Sequence, residues 1–354
     1  MKNDHPTLLI LTPGFPADEN DSTCVPAQQL FVNVLKDNFP RLNIIVISFQ
    51  YPFFAGEYVW NGIRVISFGG REKGKFYRLF LWLRGWRKLK KIKKDNNVIG
   101  LLSFWCGECA LIAKRFGTRY GLPHFTWLLG QDARKENKYV KWMHAVATEL
   151  IALSDFLAEE FYRNFIIKPA YTIPNGIDTT RFAPAESERV IDVMGAGSLI
   201  QLKRYEVFIE IIKKLSLTHP SIKAVICGKG PEKDRLEELI EKYELKNNLV
   251  LAGELPHHEV EQSMRKTKVF LHPSSYEGFS TACLEALYAG AHVISFCKPM
   301  NQQITHWHIV NTKEEMLQKT IELLEDPVIE YESVMPFSMH ASAKKMMELF
   351  NYKE

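Results

Sequence analysis

HPSSYEGFSTACLEALYAGA, residues 272–291, sets two carboxylates, Glu277 and Glu285, eight residues apart in a loop that opens a helix. A short apolar strand, 269–271, runs into Pro, Ser and Gly, and the apolar spacing that follows is helical. In a parallel α/β sheet the carboxyl ends of the strands form the crevice where ligands sit, and the amides of the following helix N-terminus attract anions. Glu277 belongs to the loop and Glu285 lies about one turn into the helix, so both can face one bound molecule.

Outward from this stretch the chain alternates strands and helices. Upstream in the same half, strand 190–196 ends in Gly195-Ala196-Gly197-Ser198 before helix 205–217. Strand 224–227 ends in Gly228-Lys229-Gly230-Pro231 before helix 232–243, and strand 249–252 precedes a short helix from His257. Strand 292–296 and helices 312–324 and 338–349 follow. The glycines suit either a tight strand-to-helix turn or close approach of a phosphate. Lys203 and Arg204, just ahead of a helix, either reach such a phosphate or are solvated.

The first half repeats the rhythm, with strands 7–12, 44–49, 63–68 after an Asn61-Gly62 turn, 98–103, 124–128 and 149–153. Helices are expected over 26–38, 106–120, 137–145 and 155–165. Near-continuous apolar strands argue for parallel sheets covered on both faces. Residues 169–184 break the pattern, so the chain reads as two doubly wound units, 1–185 and 186–335, with a closing helix in 336–354.

At 354 residues and 46% apolar content there is material for two cores. No stretch has the roughly 18 uninterrupted apolar residues of a membrane span, and the N-terminus does not read as a signal peptide, which places the protein in the cytoplasm. Six scattered cysteines suit reduced thiols, and Cys106-Gly-Glu-Cys109 reads as helix-start packing before a redox pair. The net charge of +4 conceals a local balance of +10 over 71–94, which leaves the remainder at −6. There KFYRLFLWLRGWRKLKKIKK (75–94) spaces Phe76, Phe80, Leu83, Trp86 and Leu89 along one stripe. The stripe is expected to face the sheet, with the basic face either solvated or set on an anionic bilayer at the inner face of the cytoplasmic membrane, with Arg78, Trp82, Arg84, Trp86 and Lys90 at lipid headgroups. Nucleic acid is not an expected partner, because the rest of the chain is acidic and no nucleic-acid module is present. His306-Trp307-His308 reads as a solvated strand face and not a metal site, and His257-His258 as a cap or surface pair.

IPNGIDTTRF (173–182), GSLIQLKR (197–204), ICGKGPEKDRLEEL (226–239), VLAGELPHHEV (250–260) and EGFSTACLE (277–285) together resemble the retaining glycosyltransferases of family 4, also called group 1. The resemblance implies a GT-B fold, two Rossmann-like units facing across a cleft, with acceptor bound by the first, nucleotide sugar by the second, and the last helix crossing back. It implies that Glu285 holds the nucleotide ribose and that Glu277 contacts the donor sugar near its reacting carbon. Gly197, Ser198, Arg204, Gly228, Gly278, Phe279, Ser280 and Thr281 would line the donor site, and Lys203 would neutralise the departing diphosphate. Gly14, Gly130 and Asp132 fall on the acceptor side, where Asp132 is equally suited to cap the helix that follows. The pattern departs from the family at Ser198, where an Arg is usual, and at Leu129, where a His is usual. Gly14 stands where a Gly pair is usual, and 296–300 replaces a glycine-rich stretch.

The resulting expectation is a metal-independent, cofactor-free, retaining transferase. It would move a sugar from a nucleotide-diphosphate donor to a glycan or lipid-linked acceptor in cell-surface polysaccharide or glycolipid synthesis. An epimerase or phosphorylase of the same fold, or a non-catalytic glycan- or membrane-binding relative, is the alternative.

Overall fold

The computed structural model describes residues 3–71, 74–177 and 188–353. The chain divides into two compact units, Met1–Asn175 with Met339–Glu354, and Gly176–Ser338. The boundary expected near 185, and 178–182 of the expected crossing, lie outside the described residues.

The first unit holds β1 (Asn3–Gly14), β2 (Asn43–Tyr51), β3 (Ala55–Trp60), β4 (Ile63–Phe68), β5 (Asn96–Phe104), β6 (His124–Leu128), β7 (Leu150–Ala152) and β8 (Tyr171–Thr172). They form one sheet in the order β3-β4-β2-β1-β5-β6-β7-β8. Leu8 to Leu11 of β1 are fully buried, because the strand is central and helices cover both faces. Only the β3–β4 pair is antiparallel among the described strands, turning on Asn61-Gly62 with both residues at positive φ. β3 escapes a reading from apolar runs because it is an exposed edge strand.

The helices of this unit are α1 (Pro26–Asn38), α2 (Lys75–Asp95), α3 (Glu108–Tyr120), α4 (Tyr139–Trp142) and α5 (Asp155–Phe165). α4 is shorter than the expected 137–145 helix. Asn137 caps the turn by accepting from the Tyr139 amide, and His144 at φ 49 ends it. Ser154 caps α5 by accepting from the Leu157 amide at 3.1 Å, as its position before an apolar run predicts.

The second unit holds β9 (Ile191–Ala196), β10 (Ala224–Cys227), β11 (Leu249–Gly253), β12 (Thr267–His272), β13 (His292–Ser295) and β14 (Trp307–Ile309), all parallel, in the order β11-β10-β9-β12-β13-β14. Its helices are α6 (Tyr205–Thr218), α7 (Lys233–Lys242), α8 (His257–Arg265), α9 (Thr281–Tyr288) and α10 (Lys313–Glu325). The direction of winding reverses between β9 and β12, the switch point at which open α/β sheets bind ligands. His306 and His308 do not form a solvated face. Both rings stack on His292, at centroid distances of 4.2 and 5.4 Å.

The last helix, α11 (Met339–Leu349), belongs to the first unit and packs on α1, where Asn38 Nδ2 donates to the His340 carbonyl at 3.0 Å. Phe350 then meets Phe125 edge-on at 5.0 Å.

Candidate functional site

The loops after β9, β10 and β11 are stitched side by side through their main chains. Gly197 N–H donates to Cys227 O at 2.9 Å, Gly228 N–H to Gly253 O at 2.7 Å, and Leu199 N–H to Lys229 O at 2.8 Å. Approach this close requires glycine: a Cβ on Gly228 would stand 1.9 Å from the Gly197 carbonyl oxygen. The loop after β12 is tied to the same group, because Ser275 N–H donates to Leu202 O at 3.0 Å.

That tie brings Lys203, at the end of a single 3-10 turn, onto Glu277. Lys203 Nζ donates to Glu277 Oε2, and His272 Nε2 lies 3.3 Å from the same oxygen. Burial acts to raise the Glu277 pKa, but the His272 hydrogen bond and the Lys203 charge outweigh it and hold the carboxyl at about 2. Burial lowers the pKa of His272, so a neutral imidazole donates here through Nε2–H. The result is an anionic carboxylate with one cationic and one neutral donor, at the switch point of the sheet.

Ser280 caps α9, its Oγ accepting from the Cys283 amide at 3.3 Å, an arrangement worth about 1 kcal/mol. Phe279 is buried between Trp307, stacked at 6.0 Å, and Phe337, edge-on at 5.5 Å, which anchors the Gly278–Thr281 backbone that follows Glu277. Glu285 lies one turn into α9 and is mostly buried. Its Oε1 is 3.0 Å from Nε2 of His257, whose Nδ1 is 2.8 Å from Glu261 Oε1. His257 is half-exposed at the start of α8, as expected of a surface residue at a helix start, and it also reaches Glu285 on α9. The i,i+4 pairing of His257 with Glu261 is visible in the sequence, but the approach to Glu285 is not. Ser198 is exposed beside Gly197, and Arg204 lies over the Phe296 ring at 5.2 Å. A cavity of about 640 Å³ lined by Lys298, Met300, Gln303, Trp307 and Lys319 contains neither glutamate in its wall.

In the first unit, Gly14 ends β1 and Gly130 precedes the 131–133 turn. Asp132 is buried and accepts from the amides of Cys106 (2.8 Å), Leu129 (3.1 Å) and Gly130 (2.8 Å). Its carboxylate thus organises its own loop and the segment ahead of α3, and does not cap the helix that follows. Burial pushes the Cys106 and Cys109 thiols up, as suits packed and unreactive residues.

α2 is turned differently from the stripe expected for it. Leu81, Leu89 and Ile92 enter the core, each worth roughly 1.5–3 kcal/mol. Trp82 donates to Glu108 Oε2 at 2.9 Å, Trp86 packs edge-on against Phe116 at 5.2 Å, and Arg78 bonds the Tyr139 side chain. These three are therefore not presented to headgroups. Phe80 and Leu83, expected to face the sheet, are instead 50% and 54% exposed beside Leu79, while the side chain of Phe76 lies outside the described residues. Lys90 is exposed, and Arg84 lies over the rings of Phe68 and Phe80. A groove of about 340 Å³ runs beside this helix, lined by Arg84, Arg87, Lys88 and Lys91 with Glu57 as its one acid.

Two family models match the chain: Glycosyltransferase Family 4 over residues 35–181, and Glycosyl transferases group 1 over 177–336. The phosphatidylinositol N-acetylglucosaminyltransferase gpi3 subunit of Schizosaccharomyces pombe is 29% identical over 267 residues, covering 71% of this chain and 58% of that protein. The chain thus spans little more than half of that relative. Sucrose-phosphate synthase from Thermosynechococcus elongatus superposes with a TM-score of 0.74 at 16% identity, covering 98% of both chains. Anabaena Alr3699/HepE in complex with UDP and glucose gives 0.71 at 15% identity, covering 98% of this chain and 99% of that one. At such identities the two structures establish the fold.

Proposed function

Because the chain belongs to the family 4, group 1 glycosyltransferases of GT-B fold, we propose that it moves a sugar from a nucleotide-diphosphate donor onto a glycan or lipid-linked acceptor with retention of configuration. The observation that carries this reading is the Lys203–Glu277–His272 group at the switch point of the second sheet. In the reaction the bond from the sugar's C1 to the diphosphate breaks, and a bond from C1 to the acceptor oxygen forms on the same face. The acceptor's proton passes to the departing phosphate. Negative charge grows on the diphosphate, and Lys203, with the N-terminus of α9, stabilises it without a metal ion. As Lys203 turns toward phosphate, His272 keeps Glu277 hydrogen-bonded beside the donor sugar. Glu285 accepts the ribose hydroxyls, a task that two carboxylate oxygens suit.

The Schizosaccharomyces relative's name and the UDP in the Anabaena structure make UDP-N-acetylglucosamine the first donor to test. Glu277→Ala and Lys203→Ala should each cut transfer by about a hundredfold or more while the fold persists. Full activity in either variant would sink the assignment.

The acceptor is met at an anionic membrane surface. What supports this is the outer side of α2, where exposed Leu79, Phe80 and Leu83 stand among Arg84, Arg87, Lys90, Lys91 and Lys94. Apolar side chains ringed by cations suit a bilayer of anionic lipids. Among the described residues no helix is long and apolar enough to cross a membrane.

A further inference from the structure

His257 opens α8 directly after Pro256, and its ring bridges two helices, with Nδ1 on Glu261 of its own helix and Nε2 on Glu285 of α9. A neutral imidazole can donate from only one ring nitrogen. Here both nitrogens face carboxylate oxygens, so the geometry calls for the doubly protonated ring. The hydrogen bonds to Glu261 and then Glu285 raise the His257 pKa to about 10, which keeps the ring charged across the neutral range. Glu261 is buried, so the outer end of the bridge is fixed by the core. Glu285 gives Oε1 to the bridge, and its second oxygen has no hydrogen bond from His257.

We propose that His257 is a positioning residue for the donor nucleotide: held by Glu261, it locks Glu285 into one rotamer and thereby sets the enzyme's preference for ribose over deoxyribose. This rests on the reading of Glu285 as the ribose-holding carboxylate. A glutamate one turn into a helix otherwise samples several rotamers and would have to be ordered each time a nucleotide binds. With one oxygen anchored, the carboxylate meets the sugar hydroxyls in a fixed direction. The histidine touches neither sugar nor phosphate and acts through Glu285.

Calorimetric titration of the full chain with UDP and with 2′-deoxy-UDP tests this. The wild type should bind UDP more tightly by about tenfold, the worth of a hydrogen bond to a charged group. His257→Ala should bring the ratio of the two affinities close to one by weakening UDP more than 2′-deoxy-UDP, which keeps only the 3′-hydroxyl for Glu285 to accept. His257→Arg, whose guanidinium can donate to two carboxylates, should restore most of the ratio. Glu261→Gln, which leaves Glu285 untouched, should lower the ratio part of the way and serves if His257→Ala fails to fold. A wild-type ratio in His257→Ala, or an equal loss for both nucleotides, would overturn the positioning role while leaving the donor site standing. Failure of the wild type to bind UDP, or to prefer it, would overturn the donor-site reading and the proposal together.

Discussion

Gly228→Ala is the most demanding test of how the loops after β9, β10 and β11 are built. The residue sits at φ +149, and a Cβ there would meet the Gly197 carbonyl oxygen at 1.9 Å and its carbon at 2.9 Å, where real contacts stay above 3.0 Å. The two backbones would have to separate by more than an ångström. Each is held in place, Gly197 by its bond to Cys227 O and Gly228 by its bond to Gly253 O. Losing two such bonds costs about 2 kcal/mol, and forcing alanine into this backbone region costs about 1–2 kcal/mol more. A loss of about 3–4 kcal/mol corresponds to a fall in Tm of roughly 10 °C for a unit of this size. Gly253→Ala is the internal control: φ is +74, yet no atom lies within 4 Å of its Cβ. It should cost about 1 kcal/mol, or about 3 °C. Differential scanning calorimetry of both variants decides the matter. If they melt within about 2 °C of each other, the stitched-loop account is wrong.

Two other outcomes follow from charge and exposure. Burial lowers the His124 pKa to about 3 and that of His308 to about 4. Below pH 6.5 the unfolded chain therefore binds protons that the native state refuses, and stability falls with pH. By pH 5 the cost is about 2 kcal/mol per histidine, so His124→Gln should flatten the Tm profile between pH 6.5 and 5. Glu277 has the usual sign for a carboxylate. Its contribution is present above pH 4.5 and is lost as pH falls toward about 2, so it leaves the higher window untouched. On vesicles, the wild type should co-sediment with anionic but not neutral lipid, and Phe80→Ser with Leu83→Ser should release it by about tenfold or more. Equal binding to both vesicle types, or none, would remove the membrane reading.

The residues differ in how far their roles were legible. Glu277 and Glu285 stood out because a strand, a glycine loop and a helix start are local patterns, written within twenty residues. Lys203 was a candidate only, since many lysines precede helices; its ion pair with Glu277 spans 74 positions. The contacts of His272 with Glu277 and of His257 with Glu285 emerged only when their ring nitrogens were located. On α2 the periodicity correctly marked a helix and placed Trp86 and Leu89 on the core side, but it misplaced Phe80 and Leu83, which are exposed. Cations and apolar residues alternate all round it, and the inward side is chosen by Glu108 waiting for the Trp82 indole and Phe116 for Trp86.

By itself the sequence determined the alternation of strands and helices, the glycine turns at strand ends and the loop that carries the two carboxylates. Each depends on interactions within a few residues, on backbone sterics and on apolar period. Only the tertiary structure decided which loops meet. Parallel strands are joined by crossovers, so neighbours in space are distant in the chain. Pairing β9 with both β10 and β12 is what sets Lys203 against Glu277 and packs the glycines of two loops together. That choice is made by how whole faces of helices and sheets bury one another, a property no single stretch contains.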